Sequence, residues 1–118
     1  MNIERKQIKA RMSMATIHNG TVYLAGIVPD KKQGTTAAEQ TVEVLDKIEQ
    51  LLAEAGTDKS RLLKATIWLR DIKYYDEMNS VWDAWVVPGN PPVRACVEAR
   101  MSSPDILVEI QVTAAAAE

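Results

Sequence analysis

The chain has 118 residues, of which 47% are hydrophobic and 25% charged, and it is expected to form one domain over residues 1–118. Fourteen basic and sixteen acidic residues give a formal charge of −2. We expect no nucleic-acid partner, because surfaces that bind nucleic acids concentrate Lys and Arg on one face.

The sequence also lacks the signals of membrane, metal and nucleotide proteins. No apolar run reaches the ~20 residues of a membrane-spanning helix, and the first residues lack the apolar core of a signal peptide. A single cysteine, Cys96, and a single histidine, His18, provide no disulfide and no metal-ligand set. No phosphate loop, dinucleotide fingerprint or serine elbow occurs. We expect a cytoplasmic protein that uses no metal or other cofactor and does not bind membranes.

The first predicted elements are two short strands joined by a tight turn. Asn19-Gly20 is a typical hairpin dipeptide. The apolar run Val22–Val28 is therefore expected to pair with Met14–His18. The following segment, Pro29–Thr35, has the composition of a loop.

Residues 37–55 are predicted to form an amphipathic helix. Its apolar face comprises Ala38, Thr41, Val42, Leu45, Ile48, Leu52 and Ala55. Thr36 and Glu39 have the spacing of a capping box, and Gly56 suits the C-terminal end of the helix.

The rest of the chain alternates between strands and one more helix. Residues 63–70 alternate in polarity as a half-buried strand does. A second amphipathic helix is predicted from Tyr74 to Trp85, before Pro88-Gly89.

Two further alternating runs, 93–100 and 106–113, are predicted to form a hairpin with its turn at Ser102–Asp105. The short Ala114–Ala117 segment is interpreted as a frayed end.

This order predicts an α+β two-layer sandwich, with two helices on one face of a mixed β-sheet. The aliphatic residues of each strand are expected to face the helices. The opposite face would then carry Tyr23, Trp68, Arg94, Cys96, Glu98, Leu107, Glu109 and Gln111. Exposed tryptophan and leucine beside charges are typical of a surface that packs on another subunit, so we expect a homo-oligomer.

Arg94 and Glu109 are the candidate functional residues of this face. The predicted hairpin sets Arg94 opposite Thr113 and leaves Glu109 four residues away, roughly 13 Å at ~3.3 Å per residue. Such a separation is too long for both groups to share a small ligand within one chain. Groups from two subunits that meet at an interface would remove this difficulty.

The residue types leave two interpretations open for each group. Arg94 is either an interface salt-bridge partner or a bidentate clamp for a ligand carboxylate. Glu109 either pairs with an arginine or acts as a general base or water-positioning group, which partial burial would favour by raising its pKa. Cys96 is interpreted as a small buried residue. Gly26, within a predicted strand, indicates close backbone approach, for example to a ligand.

Several segments resemble the RidA/YjgF family. Pro92-Val-Arg-Ala-Cys-Val-Glu98, followed by Ile106-Leu-Val-Glu-Ile110, is similar to the C-terminal signature of that family. Leu24–Pro29 and Ala65–Leu69 agree in order and spacing, so the similarity covers nearly the whole chain. The stretch Met78–Val87 is especially similar to the YoaB-like branch.

The resemblance implies a chorismate-mutase-like fold with a βαβαββ core, assembled as a homotrimer with ligand sites in clefts between subunits. Family members hydrolyse reactive 2-imino and enamine acids to 2-keto acids and ammonia. By position, Arg94 would hold the substrate carboxylate with help from the backbone N–H of Cys96. Glu109 would orient the attacking water, and Asn79 and Gly26 would line the cleft.

The chain departs from the family pattern at two polar positions. Ala25 stands where the family has a serine before the glycine, and Arg11–Met14 replaces a Gly-Pro-Tyr segment near the N-terminus. An alternative function is therefore non-catalytic binding of a small carboxylate, such as a keto acid, on the same fold. Ribonuclease activity, a third possibility, is disfavoured by the net charge.

Overall fold

The computed structural model describes residues 2–117, in which six strands and two α-helices are found. These are β1 (Glu4–Ile8), β2 (Ser13–His18), β3 (Thr21–Leu24), α1 (Ala37–Glu54), β4 (Leu62–Leu69), α2 (Tyr75–Trp85), β5 (Val93–Glu98) and β6 (Val108–Ala115). Short 3-10 turns at Lys59–Arg61 and Ile72–Tyr74 precede β4 and α2. Within this part of the chain, no helix is long and apolar enough to cross a membrane.

The strands form one mixed sheet in the order β1-β2-β3-β6-β4-β5. All neighbouring strands are antiparallel except β4 and β5, which are parallel. Both helices pack on one face of this sheet, and α1 also contacts α2. The predicted α+β class, with its βαβαββ succession from β3 onwards, is confirmed.

The core lies between the helices and the central strands. Its largest fully buried side chains include Leu45, Ile48 and Leu52 of α1, Ile67 and Leu69 of β4, and Val108 and Ile110 of β6. Burial of each such aliphatic side chain contributes about 1.5–3 kcal/mol. The alternation in β4 and β6 thus gives each strand one apolar face that is covered by helix.

Helix α1 begins and ends at signals in its sequence. The Glu39 backbone N–H donates to Thr36 Oγ1 at 3.1 Å, and the Thr36 N–H donates to Glu39 Oε1 at 2.9 Å, which completes the predicted capping box. Gly56 follows the helix with a φ of +82°, a left-handed conformation that glycine adopts without strain.

The predicted hairpin between residues 93–100 and 106–113 is wrong. Strand β6 pairs with β3 and β4, whereas β5 runs parallel to β4 at the edge of the sheet. The reason is burial, since the most aliphatic strand gains most from a central position. The inward side chains of β6 are at most 1% exposed: Val108, Ile110, Val112 and Ala114.

The predicted faces of β5 are also reversed. Arg94 pairs with Ala65 and Cys96 with Ile67, so both share the face of two fully buried β4 residues and lie on the helix side of the sheet. Val93 is 71% exposed and Val97 47% exposed on the helix-free face. Glu98, which was expected on the open face, accepts a hydrogen bond from the Ile72 backbone N–H at 3.0 Å, beside the start of α2. The alternation is as expected, but here the polar set points towards the helices.

Strand ends differ from the sequence-based expectation in three places. Strand β3 ends at Leu24, and beyond it the Ala25 N–H donates to the Met14 carbonyl of β2 and Ile27 forms an isolated bridge with Ile110 of β6. An additional strand, β1, precedes the hairpin at Asn19-Gly20. Ala114 is not frayed, because it is fully buried and pairs with Val22 of β3.

Gln40 connects α1 to two loops from inside the protein. Its side chain is fully buried, and Nε2 donates to the Asp105 carbonyl at 2.8 Å and to Thr35 Oγ1 at 3.1 Å. Its Oε1 accepts from the Leu107 backbone N–H at 2.8 Å. The amide therefore satisfies backbone groups just before β6 that would otherwise be buried without partners.

Replacing this amide should destabilise the fold. We expect Gln40→Ala to lower the free energy of unfolding by about 2–4 kcal/mol, because it leaves a cavity and unpaired backbone groups. Gln50→Ala, an exposed position in the same helix, should change it by less than about 0.5 kcal/mol. Urea denaturation at one fixed protein concentration measures both; equal midpoints for the two variants would contradict the assignment.

Candidate functional site

Arg94 is held against helix α2. Its Nη1 donates to Asn79 Oδ1 at 2.7 Å, and its Nη2 lies 3.3 Å from the Tyr75 hydroxyl. The guanidinium carbon is 5.4 Å from the centroid of the Trp82 ring and 5.9 Å from that of the Tyr75 ring. Hydrogen bonds and cation–π contacts thus fix both the position and the orientation of the guanidinium.

The local sequence of α2 explains this arrangement. Tyr75, Asn79 and Trp82 are spaced i, i+4, i+7 and so lie on one side of the helix. That side faces the edge strand β5, where Arg94 projects towards the helices. The Asn79 amide leaves most of the five guanidinium donors unused, which is the arrangement that a bidentate carboxylate site needs.

Cys96 lies two residues further along the same face. Burial raises the pKa of its thiol, against a smaller opposing influence of the Arg94 charge. The thiol is therefore protonated at neutral pH and is no thiolate nucleophile. The backbone N–H of Cys96, by contrast, is placed to bind a ligand. The Ala99 N–H donates to the Leu69 carbonyl of β4, and successive N–H groups of a strand point to opposite sides. The Cys96 N–H therefore points to the unpaired edge of β5.

Glu109 and Gly26 meet on the other face of the sheet. Glu109 precedes the buried Ile110 in β6 and pairs with Trp68 of β4. A Cβ atom at position 26 would collide with the Glu109 carboxylate, so the glycine gives that side chain its place against the backbone. Burial raises the pKa of the Glu109 carboxyl, and no neighbouring charge or hydrogen bond in residues 2–117 offsets this effect.

Arg94 and Glu109 do not come together within one chain. Arg94 has Ala65 and Val112 as its register neighbours, three residues from the position of Glu109 in β6. This corresponds to about 10 Å along the strands and about 10 Å across two strand spacings. The two side chains also project from opposite faces of the sheet. Arg94 and Glu109 are therefore separated within one chain, as expected. The predicted strand register and the predicted face of Arg94 were both wrong.

The predicted site residues therefore form two groups. Arg94, Asn79 and the Cys96 backbone lie at the α2 side of the edge strand, and Gly26 and Glu109 lie on the helix-free face. Across residues 2–117, no cluster of three or more His, Cys, Asp or Glu residues is suited to hold a metal ion.

The comparisons with known proteins cover almost the whole chain. The family model described as Endoribonuclease L-PSP matches residues 4–116. The chain belongs to the YjgF/RidA family. A crystal structure of a YjgF-family protein from Neisseria meningitidis has 49% sequence identity and a TM-score of 0.96, with 100% of this chain and 98% of that chain covered.

Curated relatives give the same result. The RutC family protein of Haemophilus ducreyi is 46% identical over 113 residues, which is 96% of each chain. The RutC family protein YoaB of Escherichia coli is 44% identical over 115 residues, which is 98% of this chain and 99% of that protein. The resemblance to the YjgF/RidA family, with its similarity to YoaB, is confirmed.

The two departures from the YjgF/RidA pattern lie outside the contacts of Arg94. Ala25 is adjacent to Gly26, and its backbone N–H donates to the Met14 carbonyl at 2.9 Å. Met12, in the connection between β1 and β2, is 45% exposed. The polar surroundings of Arg94 are thus independent of both replacements.

Sequence reasoning missed two residues beside Arg94. Neither Trp82 nor Tyr75 was predicted as a site residue, yet both rings flank the guanidinium. Their i, i+4, i+7 spacing with Asn79 was a usable signal. This spacing could not be connected with Arg94, because Arg94 was predicted to lie on the opposite face of the sheet.

The pKa values of two carboxyl groups should be shifted in opposite directions from the ordinary value. The Glu109 pKa is raised by burial, whereas the Glu39 pKa is lowered by its hydrogen bonds with the Thr36 backbone and side chain. As pH rises, Glu39 should therefore ionise first and Glu109 last. Carboxyl-selective 13C NMR titration measures both; a Glu109 pKa at or below that of Glu39 would contradict the burial described for Glu109.

Proposed function

We propose that this protein hydrolyses reactive 2-imino and enamine acids to 2-keto acids and ammonia. The observation that carries the proposal is the Arg94 guanidinium, fixed by Asn79 at 2.7 Å and by the Trp82 ring, with donors left for a carboxylate. The family membership and the RidA-like segment around Arg94 support the same reaction class. The protein would act in the cytoplasm.

The carboxylate of the substrate anchors the reacting carbon. It would lie on the outward donors of Arg94 and on the Cys96 backbone N–H at the free edge of β5. An imine carbon next to a carboxylate is already electrophilic, so positioning and a polarised water are sufficient, and no cofactor is needed.

Glu109 supplies the proton transfers. In the proposed reaction its carboxylate accepts a proton from the attacking water while a C–O bond forms and the C=N electron pair moves to nitrogen. The carboxyl then returns the proton to the nitrogen, which gives a carbinolamine. The carboxylate next moves the hydroxyl proton of the carbinolamine to the same nitrogen, the C=O bond forms as the C–N bond breaks, and ammonia leaves a 2-keto acid. A raised pKa suits a group that must both accept and release a proton near neutral pH.

Since Arg94 and Glu109 project from opposite faces of one sheet, we propose that each site combines Arg94 of one subunit with Glu109 of the next in a homotrimer. The helix-free face carries the apolar surface for such contacts. Val93, Val97 and Tyr23 are between 47% and 71% exposed on that side. Exposed aliphatic and aromatic side chains of this kind are typical of subunit interfaces.

The second candidate function is binding of a small keto acid without turnover. It is favoured by Ala25 and Met12, which stand where the family pattern has polar residues but leave the contacts of the carboxylate anchor Arg94 intact. Endoribonuclease activity, named in the family description, receives no support from the net charge of −2.

Decay of 2-iminobutyrate, generated by a dehydratase, tests the reaction. The wild-type protein should accelerate the decay over buffer. Arg94→Ala and Glu109→Gln should each lower kcat/KM roughly 100-fold or more, because one removes the anchor and the other the base. Arg100→Ala, an exposed arginine after the same strand, should act like wild type.

The outcomes separate the two candidates. In one outcome, 2-iminobutyrate decays equally fast with wild-type protein and in buffer, while calorimetry shows 2-oxobutyrate binding that Arg94→Ala abolishes. This result would reject the enzymatic function and support the binding function. Absence of both turnover and binding would reject both functions.

A mixed oligomer tests the shared site. Arg94→Ala and Glu109→Gln chains with different tags can be co-expressed and purified through both tags in sequence. Each mixed trimer would contain one intact site out of three, so about a third of wild-type activity should return. If both groups served the same chain, mixed oligomers would be as inactive as the single variants.

A further inference from the structure

The Tyr75 hydroxyl lies beside the guanidinium of Arg94. Its oxygen is 3.3 Å from Nη2, and its ring centroid is 5.9 Å from the guanidinium carbon. Tyr75 is the first residue of α2 and is 39% exposed, so the phenol is accessible from solvent at the side where Arg94 has free donors.

The chemistry of the two groups determines the direction of this hydrogen bond. A guanidinium has only donors, so Arg94 donates and the Tyr75 oxygen accepts. The hydrogen of the phenol is then left to donate. Within residues 2–117 the hydroxyl has no other partner, so its hydrogen is free to bind solvent water or, when one is bound, an acceptor atom of a ligand.

We propose that Tyr75 is a substrate-binding residue, whose hydroxyl donates a second hydrogen bond to the ligand carboxylate held by Arg94. The proposal rests on the proposed function in taking that ligand to be a 2-imino or 2-keto acid. Arginine and a tyrosine hydroxyl together present donors in two directions, which matches the two oxygens of one carboxylate.

This arrangement concentrates recognition at the carboxylate end of the ligand. Ala25, which stands in place of a serine beside Gly26, leaves one polar group fewer near Glu109. Tyr75 adds one near Arg94, where Trp82 covers the guanidinium and reduces its hydration. Small monocarboxylates are therefore the favoured class, and their uncharged amides should bind poorly.

The test compares two adjacent tyrosines. Tyr75→Phe removes the hydroxyl and keeps the ring. Tyr74→Phe is the matched control, because the ring of Tyr74 lies near Lys73, 5.3 Å from the amine, rather than near Arg94. For 2-oxobutyrate, calorimetric titration should give a Kd roughly 10-fold higher for Tyr75→Phe, the loss expected for one hydrogen bond to a charged group, and an unchanged Kd for Tyr74→Phe.

Kinetics distinguish ligand binding from a structural role. With 2-iminobutyrate, KM should rise in Tyr75→Phe by a similar factor while kcat stays within about 2-fold, because the carboxylate does not react. The melting temperature should not change. A kcat loss at constant KM would overturn the proposal, as would wild-type affinity in Tyr75→Phe.

Failure of this proposal differs from failure of the proposed function. If wild type turns over 2-iminobutyrate and Tyr75→Phe behaves like wild type in both assays, only the role of Tyr75 is lost. If wild type binds 2-oxobutyrate without turnover and Tyr75→Phe binds it more weakly, the reaction is lost and the role of Tyr75 stands. Absence of carboxylate binding in the wild type would overturn both.

Discussion

Burial of β6 in the middle of the sheet is the constraint on which the remaining architecture depends. Its inward residues, from Val108 to Ala114, are covered by α1, and its two neighbours, β3 and β4, satisfy its backbone on both sides. Because β6 occupies the place beside β4, the preceding strand β5 can pair with β4 only on the other side. An edge strand with a free row of backbone groups is the consequence.

The edge position of β5 gives Arg94 its environment. A guanidinium in the middle of the sheet would have to be buried among aliphatic side chains, at a high desolvation cost. At the edge, it reaches past the core to Asn79 and Tyr75 of α2 and remains half-buried over Trp82. Helix α2 therefore performs two tasks, since Met78 and Trp82 pack into the core while Asn79 and Tyr75 orient the arginine.

The sequence predicted local structure well and strand neighbours poorly. The capping box at Thr36, the turn at Asn19-Gly20 and the helix bounds are encoded by residues close together in the chain. The pairing of β6 with β4 is not, because it depends on which strand gains most from burial on all sides. Alternation in β5 showed two faces correctly. It could not show which face meets the helices, since the exposed valines look like core residues when read alone.

The structure tests the geometry of the candidate residues, whereas their roles stay predictions. The residue pattern indicated Arg94, Glu109 and Gly26, and the family resemblance added Asn79 and the Cys96 backbone, but neither source carries contacts. The structure brings Arg94 to Asn79 and Gly26 to Glu109 as two separate pairs. Tyr75 was missed because its relation to Arg94 exists only when β5 presents its polar face to α2.

Arg94 and Glu109 lie in opposite electrostatic environments. The Asn79 amide and the Trp82 ring stabilise the charge of Arg94, as the proposed carboxylate anchor requires. Partial burial without a neighbouring cation in the described chain raises the Glu109 pKa, which suits the proposed acceptance and release of a proton. If Arg94 were next to Glu109 in the same chain, the cation would lower the carboxyl pKa and occupy the donors that a substrate needs. Within one chain, separation on opposite faces of the sheet leaves the guanidinium donors of Arg94 and the raised pKa of Glu109 unaffected by each other.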